Sequence, residues 1–221
     1  MGLCPLARDR AGADTAGVQV IEVFADVACP FTHVGLRRLV ARRAAAGRDT
    51  PVLVVRAWPL ELVNGHALDP GFVAEEVEAL REQVAPDLFT GFDRSAFPAT
   101  SIPAFALAHA AYAAGPVTGE RVSLALRHAL FEEGRDIASD AVLRAVAAAH
   151  GLGPPDVRDV AAVHAEWEDG RRRGVVGSPH FFVGTGGYFC PALHISRVDG
   201  ELQIRADADA LERVLAAAIA A

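Results

Sequence analysis

The sequence has little of what stabilises a small secreted domain or anchors a protein in a membrane. Its 221 residues include only three cysteines, at positions 4, 29 and 190. An odd, low number argues against a disulfide framework, and the spacings match no zinc-binding pattern. No stretch approaches the roughly 18 uninterrupted apolar residues of a membrane helix, and no apolar segment of a secretory signal occurs in residues 1–17. We therefore expect a cytoplasmic protein with no membrane partner, no metal site and a flexible tail at 1–17.

The sequence also has fewer positively charged than negatively charged residues. Lysine and arginine total 21 against 28 aspartate and glutamate residues, a net charge of −7. This balance argues against nucleic acid as the main partner. The basic residues are all arginine, and alanine, valine and glycine are abundant, a composition typical of bacteria with GC-rich genomes. The length suits one large domain, or one domain with a substantial insertion, around a sizeable core.

The pattern of apolar residues predicts an α/β fold. Short β-branched runs at 18–25 and 51–58 indicate buried strands, and the segment from Pro30 to Gly47 between them indicates a helix. A strand, helix and strand in this order form a right-handed unit with parallel strands. Helical spacing and breaker residues then predict helices within 73–84, 101–115, 117–133, 139–150 and 154–173. Strand signals return at 179–183, 188–190 and 202–205, followed by a helix that Asp207 caps.

This order of elements predicts a thioredoxin-like fold, β-α-β then β-β-α, with a helical insertion. The mixed sheet is expected to carry helices on both faces. We divide the chain into a tail at 1–17, a thioredoxin-like domain at 18–63 and 174–221, and a helical insertion domain at 64–173.

Cys29 lies where the first strand gives way to the first helix, which is a favourable place for thiolate chemistry. The free N–H groups and positive dipole end of a helix N-terminus stabilise a sulfur anion. Pro30 suits the first turn of the helix, and Thr32 can donate a hydrogen bond to the sulfur. Such an environment predicts a depressed cysteine pKa. A buried, inert cysteine is the alternative.

A second motif, Gly-Ser-Pro at 177–179, precedes the next apolar strand. In thioredoxin folds a cis-proline stands at this topological position, beside the redox cysteine. We therefore predict that Pro179 is cis, although an ordinary trans proline at a strand start is the alternative. Ser178 would then also lie at the site.

These motifs resemble those of DsbA-like proteins. The resemblance is carried by Phe-Ala-Asp-Val-Ala-Cys-Pro-Phe-Thr at 24–32, Trp-Pro-Leu at 58–60, and Val-Val-Gly-Ser-Pro-His-Phe-Phe at 175–182. More narrowly, the chain is similar to the branch with FrnE-type oxidoreductases, 2-hydroxychromene-2-carboxylate isomerases and kappa-class glutathione transferases. The oxidoreductases carry Cys-Pro-x-Cys, and the isomerases and transferases carry Ser-Pro-Tyr-Ser. Cys-Pro-Phe-Thr lies between the two.

The resemblance implies a thiol–disulfide oxidoreductase with Cys29, Thr32 and Pro179 as its catalytic residues. Because Thr32 replaces the second cysteine, Cys29 cannot resolve its own mixed disulfide. We therefore expect a monothiol enzyme that acts on a small thiol or disulfide with a low-molecular-weight thiol of the glutathione or mycothiol type, and that binds no cofactor tightly. The alternatives are a thiol-dependent isomerase or transferase and a non-catalytic binding domain. The oligomeric state is open, with a homodimer as one option.

Several further residues are candidates for binding substrate or thiol. Pro30, Phe31, Trp58 and Ser178 could line a pocket, although aromatic residues at strand ends more often belong to the core. His33 follows Cys29 by one helical turn and either stabilises the thiolate or is merely exposed. Cys190 either resolves a mixed disulfide at Cys29 or only packs.

Overall fold

The chain forms a mixed four-stranded sheet with helices packed around it. The computed structural model describes residues 19–156 and 160–220, so the predicted tail lies outside the described part. The strands lie in the order β2-β1-β3-β4. Their bounds are β1 Val20–Ala25, β2 Val52–Ala57, β3 His180–Val183 and β4 Gly186–Phe189. β1 and β2 are parallel, as predicted, and β3 is antiparallel to both β1 and β4.

Most of the helices lie between β2 and β3 in the chain. The helices are α1 Pro30–Ala45, α2 Leu60–Asn64, α3 Pro70–Gln83, α4 Ile102–Ala113, α5 Pro116–Phe131, α6 Asp140–Ala149, α7 Ala161–Arg172 and α8 Ala208–Ala220, with a 3₁₀ turn at Arg94–Ala96. α1 connects β1 to β2, and α8 follows the last strand. The predicted α/β fold with a helical insertion is therefore confirmed, while the domain bounds 64 and 173 stay a prediction.

The polar residues at the starts of α8 and α6 behave differently from each other. The Asp207 carboxylate accepts a hydrogen bond from the Ala210 N–H at 2.7 Å, as a capping side chain should. Ser139 lies at the N-cap position of α6, but its side chain makes no capping hydrogen bond. α7 begins at Ala161, seven residues after the predicted start at Pro154. Pro155 disfavours helical backbone at the residue before it, which keeps Pro154 out of the helix.

A hairpin that the sequence only half predicts follows β4. Strands β5 (Leu193–Val198) and β6 (Glu201–Ala206) pair only with each other as a separate antiparallel sheet within the described residues. The turn between them lies at Asp199 and Gly200, and both residues adopt positive φ, 53° and 89°. This is the backbone that two-residue hairpin turns require. The side-chain amide of Gln83 joins the hairpin to α3, because it donates to the Leu202 carbonyl at 2.9 Å and accepts from the Ile204 N–H at 2.8 Å.

Side chains of the insertion helices seal the outer edge of β2. The N–H groups of Leu53, Val55 and Ala57 point away from β1. They donate in turn to the Glu120 carboxylate of α5 at 2.5 Å, the Tyr112 hydroxyl of α4 at 2.8 Å and the Glu166 carboxylate of α7 at 2.7 Å. The Tyr112 hydroxyl also donates to the Leu53 carbonyl at 2.9 Å. Three helices thus take the place of a neighbouring strand, which removes the exposed edge that sheets otherwise have to protect.

We predict that Tyr112→Phe destabilises the protein by about 1–3 kcal/mol, because it leaves a buried N–H and a buried carbonyl of β2 without their partner. Tyr188→Phe is the matched control, since the chain has only two tyrosines and Tyr188 is only partly buried. Its hydroxyl has no hydrogen-bond partner among the residues that the structure describes. Urea unfolding gives both free energies. Equal stabilities for the two variants would contradict this account of the β2 edge.

Candidate active site

Cys29 occupies the N-cap position of α1, as the sequence predicts for a thiolate site. Its backbone is extended, with φ −83° and ψ 117°, and Pro30 is the first residue of the helix. A short turn from the end of β1 brings the chain to this position, and the Cys29 N–H donates to the Asp26 carbonyl at 3.4 Å. The residue is buried, with 3% of its surface exposed.

The loop before β3 lies directly against Cys29. The Ser178–Pro179 peptide bond is cis. The Cys29 thiol donates to the Ser178 carbonyl, with sulfur and oxygen 3.5 Å apart. The Ser178 and Thr32 hydroxyl oxygens are 2.9 Å apart, and the Ser178 hydroxyl also accepts from the Asp26 N–H at 2.9 Å. The structure therefore brings Cys29, Thr32, Ser178 and Pro179 into one site.

The acidity of Cys29 differs from what its helix position predicts. Burial raises the pKa of the Cys29 thiol above its ordinary value, because the apolar surroundings disfavour the thiolate. Hydrogen bonds from Ser178 and Thr32 lower the pKa but do not offset the burial. The prediction of a depressed pKa is therefore wrong, since it took account of the helix terminus and not of the loop that covers the sulfur.

Asp26 is a site residue that the sequence indicates only as the end of a strand. Its carboxylate accepts from the Ala28 N–H at 2.8 Å, from the Leu60 N–H at 2.6 Å and from the Ser101 hydroxyl at 3.3 Å. The residue is 1% exposed, and burial raises its pKa to about 6. One carboxylate thus joins the turn before Cys29 to the first residue of α2 and to the residue before α4.

Arg127 is the second residue that the sequence does not reveal. This arginine of α5 is 1% exposed. Its guanidinium donates to the Asp26 carbonyl at 3.2 Å and to the Ser123 carbonyl and hydroxyl at 3.0 and 2.7 Å. Burial lowers the pKa of Arg127 to about 10, and the residue interacts electrostatically with Asp26 and Cys29. A buried cation beneath the turn favours negative charge at both of those groups.

The His33 side chain contacts the helical insertion. Its Nε2 lies 2.7 Å from the Glu132 carboxylate, and its ring packs against Phe89 and Phe131. The side chain is buried, and burial lowers the pKa of His33, so the imidazole is neutral at neutral pH. A neutral imidazole held by Glu132 links α1 to the insertion. This position favours a structural role over stabilisation of the thiolate.

The remaining candidates take different positions. Phe31 is partly buried at the start of α1, whereas Trp58 packs with Phe24 and Val175 in a second apolar cluster. Cys190 is 5% exposed, and its N–H donates to the Pro179 carbonyl at 2.9 Å. Cys4 lies outside the described residues. Within 19–156 and 160–220, no group of three or more His, Cys, Asp or Glu side chains is placed to hold a metal ion.

The match to a known family agrees with this geometry. The model of the DSBA-like thioredoxin domain family matches residues 20–206, so the chain belongs to that family. No curated protein matches the chain. In the described part of the chain, none of the helices is both long and apolar enough to span a bilayer.

Three solved structures illustrate the fold. The cytosolic disulfide reductase DsbM from Pseudomonas aeruginosa is 21% identical with a TM-score of 0.52, covering 89% of this chain and 91% of its own. A structure of DsbM with GSH is 19% identical with a TM-score of 0.52, covering 89% and 92%. A 2-hydroxychromene-2-carboxylate isomerase is 13% identical with a TM-score of 0.56, covering 77% and 88%. These likenesses extend to the fold.

The environment of Cys29 predicts a shift of its reactivity with pH. We expect the rate of Cys29 alkylation to rise with a midpoint above the ordinary range of a cysteine thiol, because the buried thiolate is disfavoured. Thr32→Val should move the midpoint higher still, since it removes a hydrogen bond that stabilises the thiolate. Peptide mass spectrometry after iodoacetamide pulses at a series of pH values measures both. Thr185→Val, in an exposed turn, is the control and should leave the midpoint unchanged; a lower midpoint for Thr32→Val contradicts the assignment.

The raised pKa of Asp26 predicts how the stability of the protein changes with pH. The folded-state pKa of about 6 exceeds the ordinary value of 3.8. The folded state therefore binds the proton more tightly, and the stabilisation is complete below about pH 4 and lost as the pH rises to about 6. The loss amounts to about 3 kcal/mol.

Asp26→Asn should remove this slope, whatever constant change in stability it brings. Urea unfolding between pH 3 and pH 8 provides the measurement, because ~1.4 kcal/mol per pKa unit is large enough to resolve. Asp199→Asn is the control, because asparagine also tolerates the left-handed backbone of that exposed turn. The assignment fails if the slopes of Asp26→Asn and Asp199→Asn are the same.

Proposed function

We propose that this protein is a thiol–disulfide oxidoreductase in which Cys29 is the nucleophile and a low-molecular-weight thiol of the glutathione or mycothiol type is the co-substrate. The observation that carries the proposal is the position of the Cys29 sulfur, which caps α1 and lies 3.5 Å from the Ser178 carbonyl, next to the cis bond of Pro179. Cysteine at a helix N-terminus is the usual setting of thiol exchange.

Thr32 decides how the reaction cycle is completed. Its hydroxyl pairs with the Ser178 hydroxyl at the place where a dithiol enzyme holds its second sulfur. In the first step the Cys29 thiolate attacks a mixed disulfide of the small thiol, forms a Cys29 adduct and releases the substrate thiol with the Cys29 proton. In the second step another molecule of the small thiol attacks the adduct, which restores Cys29 and releases the oxidised small disulfide. The net reaction converts the mixed disulfide and one small thiol into the free substrate thiol and the oxidised small disulfide.

The acidity of Cys29 argues against a role as a strong oxidant. An enzyme whose thiolate is strongly stabilised is an oxidant, because its reduced form is the favoured one. Burial has the opposite effect here and raises the pKa of Cys29. We therefore propose that the protein reduces disulfides. The structural likeness to a cytosolic disulfide reductase, solved with GSH, supports the reductive direction, a glutathione-type thiol and a cytoplasmic location.

An apolar rim beside the loop of the site is where we propose that substrates bind. Val176 and Phe189 are 71% and 55% exposed although both are large and apolar. Val176 lies two residues before Ser178, and Phe189 immediately precedes Cys190. A Cβ atom added to Gly177 would come within 2.6 Å of the Phe189 ring, so the two segments touch. Exposed apolar side chains of this kind commonly mark a binding surface.

A second candidate function uses the same site without a covalent bond. Of the paired hydroxyls of Thr32 and Ser178, one donates to the other, and the second can donate a hydrogen bond to the thiolate of a bound cofactor thiol. This arrangement favours thiol-dependent isomerase or transferase chemistry on a small organic substrate. The likeness to a 2-hydroxychromene-2-carboxylate isomerase supports this candidate.

Removal of the Cys29 sulfur separates the two functions. We expect Cys29→Ser to reduce the turnover of a glutathionylated peptide, with glutathione and glutathione reductase as the coupling system, to the uncatalysed background. Cys4→Ser is the control and should retain full turnover. Folding of both variants is checked by circular dichroism. Full turnover by Cys29→Ser would overturn the oxidoreductase proposal and leave the non-covalent candidate.

A further inference from the structure

The second buried cysteine lies on the same loop as the first. The Ser178 carbonyl accepts the hydrogen of the Cys29 thiol, and the next carbonyl, that of Pro179, accepts the Cys190 N–H at 2.9 Å. One peptide unit therefore separates the group that touches Cys29 from the group that holds Cys190. Both cysteines are reduced and buried in the structure.

The sheet register explains why Cys190 reaches this position. His180 pairs with Phe24 on one side and with Phe189 on the other. Pro179 and Cys190 are the next residues outward along this antiparallel ladder, where neighbouring strands lie about 4.8 Å apart. After Cys190 the chain packs against α1, the helix that Cys29 caps. The contact is close, because a Cβ atom added to Gly35 of α1 would lie 3.7 Å from the Ala192 Cβ.

The backbone of Cys190 supports a role beyond packing. Its φ of 42° is one of three positive values at non-glycine residues in the described part of the chain, with those of Phe89 and Asp199. A cysteine gains nothing from left-handed backbone, so the conformation is imposed by its surroundings. Such backbone recurs at functional sites. The result is a thiol that faces the core at the end of β4, with 5% of its surface exposed.

We propose that Cys190 is the resolving thiol of the site and attacks the mixed disulfide at Cys29. This inference rests on the proposed function and adds an internal route to it. A small disulfide first reacts with Cys29, which forms the adduct and releases one small thiol. The Cys190 thiolate then attacks the Cys29 sulfur; the bond to the small thiol breaks, the Cys29–Cys190 disulfide forms, and the departing thiolate takes up the Cys190 proton. One substrate disulfide is reduced to two thiols as the two cysteines are oxidised. Two molecules of the glutathione- or mycothiol-type thiol then reduce the Cys29–Cys190 disulfide and leave as their own oxidised disulfide, so two electrons pass from that thiol to the substrate disulfide.

The surroundings of Cys29 and Cys190 differ, and this difference determines which thiol reacts first. Burial raises the pKa of Cys190 to about 12, and charge on Cys29 contributes to the increase. Cys29 reacts first because it caps the N-terminus of α1, whereas Cys190 follows a strand. Formation of the adduct removes the Cys29 charge, which makes the Cys190 thiol easier to ionise. Arg127 and Glu76 also interact electrostatically with Cys29, the first favouring its charge and the second opposing it.

The lifetime of the adduct tests this inference. All proteins carry Cys4→Ser, so that Cys29 and Cys190 are the only cysteines. Each reduced protein is mixed with oxidised glutathione, and the reaction is quenched with acid at intervals. Mass spectrometry then gives the mass of the intact protein. With both cysteines present, we expect the mass of one glutathionyl group to appear and then to be lost, leaving a protein lighter by two hydrogen atoms. With Cys190→Ser or Cys190→Ala, we expect the adduct to accumulate and persist.

A peptide map of the protein that retains Cys190 gives a readout that does not depend on the folding of any Cys190 variant. It should contain the peptides of Cys29 and Cys190 joined by a disulfide. If that protein accumulates a persistent adduct and yields no joined peptide, Cys190 is not the resolving thiol, and the proposed function stands. If Cys29 forms no adduct in any of the proteins, the proposed function fails and this inference with it.

Discussion

The buried carboxylate of Asp26 is the constraint on which the site depends. It receives hydrogen bonds from the turn before Cys29, from the start of α2 and from Ser101 before α4. An unpaired carboxylate in such a place is costly, so each donor must stay in position while the group is ionised. The Asp26 backbone adds two more links, to Ser178 and to Arg127. The turn that presents Cys29 is therefore fixed from the sheet side and from the insertion side at once.

The position of the Cys29 thiol restricts its access to substrates and disfavours its ionisation. Cys29 is 3% exposed, and its thiol is bonded to the Ser178 carbonyl. A substrate that reaches the sulfur must therefore displace the loop before β3. Burial, which raises the pKa of Cys29, and the covering loop act together, because movement of the loop both admits a substrate and solvates the thiolate. The same local movement thus exposes the Cys29 sulfur and makes it more reactive. A small disulfide needs a smaller movement than a protein disulfide does.

The sequence predicted the elements whose signals are local and missed the contacts that depend on distant residues. The β-branched runs, and the Gly, Pro and Asp residues that end them, were sufficient to predict the first two strands, the helix between them and the position of Cys29. The five-residue helix α2 is too short to show a period, and all residues of β5 after the first are exposed. His33 could not be assigned, because Glu132, which holds it, is 99 residues away. Asp26 and Arg127 resemble ordinary surface residues in the sequence, and only tertiary packing reveals their burial.

The sealed edge of β2 has a consequence for how this protein can associate with other chains. An extended peptide or a second copy can join a sheet only where backbone N–H and carbonyl groups are unpaired. At β2 these N–H groups already bond to Glu120, Tyr112 and Glu166. At the opposite side of the sheet, β4 pairs only with β3 among the described residues. In this sheet the open edge is therefore that of β4, whose last residue precedes Cys190, so that a polypeptide paired with β4 would run past the reactive end of the molecule.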